Sequence, residues 1–381
     1  MTAPIVIIGT GLAGYQLARE FRKISSDTPL TLITADKGEY YPKPQLSTAL
    51  TQGKTPETLV TSNAEAMAKQ LNATILTQTK VTAIDPENHV IHMDDQTLIY
   101  DKLVIAIGAE TIKAPLEGDA ANEVLSINHI YHYTHFQNLI KNKKTIAILG
   151  AGLIGCEFAN DLCNAKYHVH MIAPAKAPLD LLIPEKIGYI LQQTLEEHGV
   201  QFHLKCVAKR MDKTNQGYRL TLSNDQILEV DFVISAIGLK PNIMLAKNAG
   251  IKTDRGILVN RFLETSVKDI YTLGDCAEVE GHVLPYITPI LNCARALAKT
   301  LSGQRTTVEY PAMPVIIKTP LHPIVVCPPP KDMVGKWEIE TFEDNTRALF
   351  YNEQQQLFGF VLTNDAVKER AVLVKQLPAL F

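Results

Sequence analysis

The chain has 381 residues, 46% hydrophobic and 20% charged, the profile of a globular protein of two or three domains with a sizeable core. A net charge of −3 with scattered basic residues offers no basic face for nucleic acid, and no run of about 18 apolar residues suggests a membrane span. The cysteines at 156, 163, 206, 276, 293 and 327 form neither C-x-x-C nor C-x4-C, so metal-ligand and redox-disulfide spacings are missing, and buried free thiols in a reducing cytoplasm are expected.

Residues 1–8 lack a charged leader and read as a first strand rather than a signal peptide. The stretch IVIIGTGLAG at 5–14 is a strand followed by a glycine turn, then a helix carrying Leu12, Tyr15, Leu17, Ala18 and Phe21. A second strand follows at 30–34, and short β segments are expected at 74–82, 89–93 and 97–100. An apolar strand at 103–107 ends in Gly108. The opening pattern then recurs as IAILGAGLIG at 146–155, with Leu153, Phe158, Ala159 and Leu162 on its helix and a strand at 168–173. Two βαβ units imply two parallel sheets.

Strands at 232–237 and 269–273 end in Gly238 and in Gly274-Asp275. Residues 286–301 read as a helix whose apolar face is Ile287, Ile290, Leu291, Ala294, Leu297, Ala298 and Leu301, with Pro285 and Pro289 at its start. From 312 prolines punctuate short strands, among them 337–342, 346–351 and 357–362, and a last helix is expected at 365–377 with Asp365 as its N-cap. The predicted fold class is α/β, two Rossmann-like dinucleotide-binding domains plus a C-terminal α+β domain. The expected boundaries are 1–113 with 241–311, then 114–240, then 312–381.

Each glycine turn carries its own chemistry. In Gly9-Thr10-Gly11-Leu12-Ala13-Gly14 the first glycine permits the tight turn, the second lets a pyrophosphate approach the backbone, and the third lets helix and strand pack closely. The helix N-terminus then offers free N–H groups and a partial positive charge to the phosphates. Asp36 lies 22 residues past Gly14, close to where a ribose-binding carboxylate is expected. Gly150, Gly152, Leu153, Ile154 and Gly155 repeat the turn, but Ala175 occupies the position of the acid and no arginine pair awaits a 2′-phosphate, which favours NADH over NADPH. A chain with two such sites suits electron delivery by one dinucleotide and storage by the other.

On these motifs, joined by TSVKDIYTLGD at 265–275, LVIAIGA at 103–109 and VISAIGLKPN at 233–242, the chain resembles the two-dinucleotide flavoprotein reductases of the glutathione-reductase superfamily. The resemblance implies FAD on the first turn and NADH on the second. It implies that Asp275 binds the ribityl or pyrophosphate region of the flavin. It also implies that the helix after it points its N-terminus at the flavin pyrimidine edge, with Ile287 supplying a backbone N–H. Residues 40–48, YYPKPQLST, hold no cysteine, so thiol chemistry at the flavin is disfavoured and electrons leave by another route.

That segment is similar to the Y-x-[RK]-P-x-L-S stretch of reductases serving small iron–sulfur or iron–thiolate carriers, which puts Lys43 on the FAD; Thr48 stands where that group often has lysine. GAGLIGCEFAND at 150–161, LGDCAE at 273–278 and MPVIIKTP at 313–320 resemble the rubredoxin-reducing branch. By that resemblance Val81 holds the adenine through its backbone, and Glu157 and Lys318 lie near the flavin. The implied activity is hydride uptake from NADH followed by single-electron delivery to rubredoxin, as in alkane hydroxylation. No acid–base residue and no metal is required. Ferredoxin or flavorubredoxin reduction, direct oxidation of NADH by oxygen, and a non-metabolic redox sensor are the alternatives. Lys43 and Lys318 are the lysines that could form a basic rim for an acidic carrier, unless both serve the flavin.

Overall fold

The computed structural model describes residues 3–94 and 96–381; the first two residues of the expected opening strand lie outside them. A parallel five-stranded sheet runs in the order Ile270–Thr272, Lys102–Ile105, Ile5–Ile8, Leu30–Ile33, Thr74–Leu76. Its inner strands are buried along their length, as continuous Ile/Leu/Val runs require when helices cover both faces. The helix Leu12–Arg22 lays Tyr15, Leu17, Ala18 and Phe21 on this sheet and packs along the helix Ile287–Leu301.

A second parallel sheet has the order Val200–Leu204, His168–Ala173, Thr145–Leu149, Phe232–Ser235, Leu125–Ser126. It is inserted within the first unit, whose edge strand Ile270–Thr272 follows it in the chain. Two antiparallel segments, Ala109–Thr111 and Leu239–Pro241, form the double crossing between them. The C-terminal region is an antiparallel sheet in the order Val315–Ile317, Ile324–Cys327, Leu357–Thr363, Asn345–Asn352, Gly335–Phe342. The architecture is thus α/β with two Rossmann-like units and a C-terminal α+β body, and all six cysteines are free and buried.

Three expectations need correction. Residues 74–82 are not one strand: Thr74–Leu76 belongs to the parallel sheet and Val81–Asp85 to a separate antiparallel one. Between them Gln78 takes a φ of 50° and its N–H donates to the Asp36 carbonyl at 2.8 Å, which turns the chain around the end of the second strand. The last helix is shorter than 365–377: a 3₁₀ segment Asn364–Glu369 precedes a single α turn, Arg370–Val374. Asp365 caps nothing; its own N–H is held by Asn345 Oδ1 at 2.9 Å, and this tether to the neighbouring hairpin tightens the segment. Ile287 does not join the apolar face of its helix and is 45% exposed at the N-terminus. The helices Ile130–Ile140 and Glu185–Glu197 and the three-stranded sheet spanning 208–230 were not anticipated.

Candidate functional site

The two glycine turns superimpose in their hydrogen bonding. Gly9 N–H donates to Ile33 and Gly150 N–H to Ile172, each at 2.8 Å. Three residues beyond each acceptor lie Asp36 and Ala175, so the substitution of alanine for acid is a true positional equivalence. Gly9 and Gly150 have φ of 112° and 108°, a region closed to side chains. A Cβ on Gly14 would overlap the Gly9 carbonyl, and one on Gly155 the Gly150 carbonyl, whereas a Cβ on Gly11 or Gly152 would meet nothing. The outer and last glycines therefore serve chain packing, and the middle glycine leaves open space over a helix N-terminus. Among the described residues no side chain caps either helix, so both turns present their first N–H groups to an anion.

The turns differ in cover. Gly274 packs so closely on the first helix that a Cβ there would meet Ala13 Cβ at 2.7 Å. Thr10 and Ala13 are buried and Leu12 is half-buried. In the second turn Leu153 is half-buried and Ile154, the counterpart of Ala13, is 37% exposed. The first turn is thus braced by the third motif at Ala13, whereas Ile154 in the second is exposed; the middle glycine, Gly11 or Gly152, is exposed in both.

Asp36 Oδ1 accepts from Thr34 Oγ1 at 2.7 Å and from Gly38 N–H at 2.8 Å, which fixes the carboxylate at the strand end. The Thr79 N–H donates to the Thr34 carbonyl at 2.9 Å, carrying the chain from Gln78 to Val81 alongside Asp36. Gly108 and Gly238 sit at the double crossing: Asn242 N–H donates to the Gly108 carbonyl and Ile112 N–H to that of Gly238, both at 3.0 Å.

Lys43 opens the 3₁₀ turn Lys43–Thr48. Burial pushes its ammonium below the usual lysine range, while the Asp275 carboxylate pulls it back up. Burial likewise raises Asp275, opposed by Lys43. Among the described residues no ion pair joins the two. The two half-buried, opposite charges thus lie close enough to influence each other, and a polar group bound beside them would satisfy each. His129 adds an Nδ1 that is buried without a hydrogen-bond partner among the described residues. Its pKa is pushed down to about 4, first by burial, then by the neighbouring His132 and Lys43. Half-buried opposite charges beside an unpartnered imidazole nitrogen fit a bound flavin.

Glu157, 1% exposed, accepts from Ser47 Oγ at 2.6 Å and from the Lys318 N–H at 3.0 Å, and it pairs with the Lys318 ammonium. One carboxylate thus joins the second dinucleotide helix, the Lys43 turn and the C-terminal sheet. Lys318 is engaged here rather than free on a rim, and Lys43 faces Asp275. Ser47 was missed as a partner because a serine beside a proline-rich turn carries no spacing signal. Among the described residues no cluster of three metal-ligating side chains exists, and no helix is long and apolar enough to cross a membrane.

Residues 3–300 match the pyridine nucleotide-disulphide oxidoreductase family, and residues 307–377 match the rubredoxin binding C-terminal domain. The chain is 48% identical over 378 residues to the rubredoxin-NAD(+) reductase of Alcanivorax borkumensis, covering 99% of both chains. It is 39% identical over 377 residues to the nitric oxide reductase FlRd-NAD(+) reductase of Aliivibrio fischeri, covering 99% of both. The fold is similar to the crystal structure of NADH:rubredoxin oxidoreductase from Clostridium acetobutylicum, with a TM-score of 0.81, 23% identity and coverage of 99% of this chain and 95% of that one. The chain belongs to the pyridine nucleotide-disulphide oxidoreductase family, and within it to the group of rubredoxin-NAD(+) reductases.

Proposed function

We propose that the protein takes hydride from NADH and delivers electrons singly to rubredoxin, with FAD as the resident carrier. The observation that carries this reading is the pair of glycine turns, of which only the first has the Asp36 acid and is braced by Gly274, in a chain whose C-terminal residues match a rubredoxin-binding domain. A turn braced by the third motif suits a cofactor that stays, and the unbraced turn suits a coenzyme that exchanges every cycle. Bound FAD would supply the conversion between a two-electron hydride donor and a one-electron acceptor.

We assign 1–113 with 241–311 to FAD, 114–240 to NADH and 312–381 to the carrier-facing domain. The turn Gly9, Thr10, Gly11, Leu12, Ala13 and Gly14 would hold the FAD pyrophosphate, Asp36 its adenosine ribose and Val81 its adenine. Gly108, Gly274 and Asp275 would line the ribityl region. Lys43 and the helix N-terminus at Ile287 would set positive potential at the flavin ring, where a helix terminus favours negative charge by about 0.3–1 kcal/mol. Gly150, Gly152, Leu153, Ile154, Gly155 and Gly238 would hold NADH, and Glu157 with Lys318 would close the edge of the ring site. No side chain need move a proton in this scheme.

A place in the cytoplasm, upstream of a rubredoxin-dependent step such as alkane hydroxylation, fits this reading. The relatives named for flavorubredoxin favour that carrier as the second reading. Anaerobic rapid mixing with NADH should bleach the flavin absorbance, and steady-state turnover should be fastest with rubredoxin. Persistence of the oxidised flavin spectrum would sink the hydride step. Faster turnover with ferredoxin or with oxygen alone would displace rubredoxin.

A further inference from the structure

The helix Leu153–Asn164 buries three polar side chains on one face, Glu157, Asn160 and Asp161, spaced i, i+3 and i+4. Glu157 belongs to the site already described; the other two close the stretch 150–161 and carry no role in that site. Asn160 Oδ1 accepts from the Leu321 N–H of the C-terminal body at 3.2 Å. Asp161, 2% exposed, accepts from the Leu50 N–H at 2.9 Å, from the Thr51 N–H at 2.9 Å and from Thr51 Oγ1. Among the described residues no cation pairs with it. Burial raises its pKa, opposed by the bonds from Thr51 and Leu50. A buried carboxylate satisfied only by backbone and hydroxyl donors is an expensive way to pack a helix. What it achieves is a directional grip on residues 50–51.

Those residues continue directly from the turn Lys43–Thr48. The helix that grips them begins at the second glycine turn, with Gly152 as its N-cap. At 1.5 Å per residue, Asp161 lies about 12 Å along the rod from the diphosphate turn. One rigid element therefore carries the coenzyme's anchoring turn at one end and holds the flavin-side segment at Ser47 and again at Leu50–Thr51. The two segments come from different domains, whose sheets share no strand, so these grips fix their relative pose.

We propose that Asp161 is a positioning residue for hydride transfer, acting through the 43–51 segment and touching neither cofactor. This rests on the reading of the second turn as the NADH site and of the Lys43 turn as flavin-facing. Hydride transfer needs reacting atoms about 3–3.5 Å apart, and a misplacement of about 1 Å can cost a hundredfold. Electron delivery to rubredoxin does not involve the second turn and is insensitive to the grip.

The test compares the FAD-loaded wild type with Asp161→Asn, Asp161→Ala and Thr51→Val. Thr51→Val removes only the hydroxyl donor and keeps the result readable if the alanine variant does not fold. Three quantities are measured: flavin bleaching by NADH under anaerobic conditions, the dissociation constant for NADH, and the rate at which dithionite-reduced enzyme reduces rubredoxin. The expected result is a loss of about tenfold to a hundredfold in bleaching rate for Asp161→Ala, with a smaller loss for Thr51→Val. Asp161→Asn, which keeps one acceptor oxygen, should fall between wild type and alanine. NADH affinity and the rubredoxin step should stay within about twofold. Bleaching within twofold of wild type in both Asp161→Asn and Thr51→Val overturns the proposal, and so does an equal fall in both half-reactions, which would mark a merely structural residue. Failure of the wild type itself to bleach would instead overturn the NADH–FAD reading on which the proposal rests.

Discussion

Lys318→Met isolates the ion pair that ties the C-terminal sheet to the second dinucleotide helix. The Glu157 side chain is 1% exposed and that of Lys318 is 31% exposed, so the carboxylate is fully dehydrated and the ammonium partly hydrated. Removing the ammonium leaves Glu157 with two donors, Ser47 Oγ at 2.6 Å and the Lys318 N–H at 3.0 Å. Breaking a fully buried pair costs about 3–5 kcal/mol because it strands a charge; solvent access to Lys318 and the two surviving donors reduce this to about 1–2 kcal/mol.

At about 2–4 °C per kcal/mol, the melting temperature of the FAD-loaded protein should fall by several degrees. Adding Glu157→Gln removes the stranded charge, so the double variant should recover part of that loss. The assay is a double-mutant cycle in thermal melting monitored by flavin fluorescence, with a coupling of about 1 kcal/mol or more expected between the two positions. Additive losses would show that the two side chains do not interact in solution, and the role of Glu157 as the junction of three segments would fall with them.

The two glycines that look alike in sequence should respond differently. Gly152→Val enters open space; it should leave FAD content and melting temperature unchanged while weakening NADH binding tenfold or more, read from KM and bleaching amplitude. Gly155→Val drives a side chain into the Gly150 carbonyl, so it should lower the melting temperature and the yield of folded protein. Ala175→Arg places a cation where the ribose acid would stand, and it should raise kcat/KM for NADPH relative to NADH by about tenfold, equivalent to about 1.4 kcal/mol; an unchanged ratio would remove Ala175 from the ribose site. His129 has a pKa lowered from 6.5 to about 4 in the folded chain. The unfolded chain therefore binds the proton first, and the apoprotein should lose stability as pH falls through that window, by at most about 1.4 kcal/mol per pH unit. His129→Gln should flatten this acid limb in urea titrations at pH 7, 5.5 and 4.5; parallel limbs in the two proteins would refute it.

The glycine turns were legible because their constraints are local. A strand ending in Gly9 or Gly150 and a helix beginning three residues later can be read from a ten-residue window, and the spacing to Asp36 follows from the lengths of one helix and one strand. The helix at residues 286–301 was legible for the same reason, through its period. Residues 74–82 misled because alternation continues across Gln78, whose turn depends on a hydrogen bond to Asp36. The segment 365–377 misled because its helical period is real and Leu373 still packs into the apolar cluster, but Asn345, some 20 residues earlier, holds its first N–H. Ile287 scored as apolar on the helix, yet its place at an exposed helix start is set by how the neighbouring segments fold around it.

The sequence by itself determined the two anion-ready turns, the absence of a flavin-side cysteine and the acid present on one turn and missing from the other, since each is a property of residue type and short spacing. The tertiary structure alone decided which turn is braced by the third motif, that Lys43 and Asp275 lie close enough to feel each other's charge, and that Glu157, Asn160 and Asp161 gather two distant segments onto one helix. Those partners lie about 110 to 260 residues apart in the chain. Contacts at such separations depend on how parallel sheets stack and cross, which no local pattern of side chains encodes.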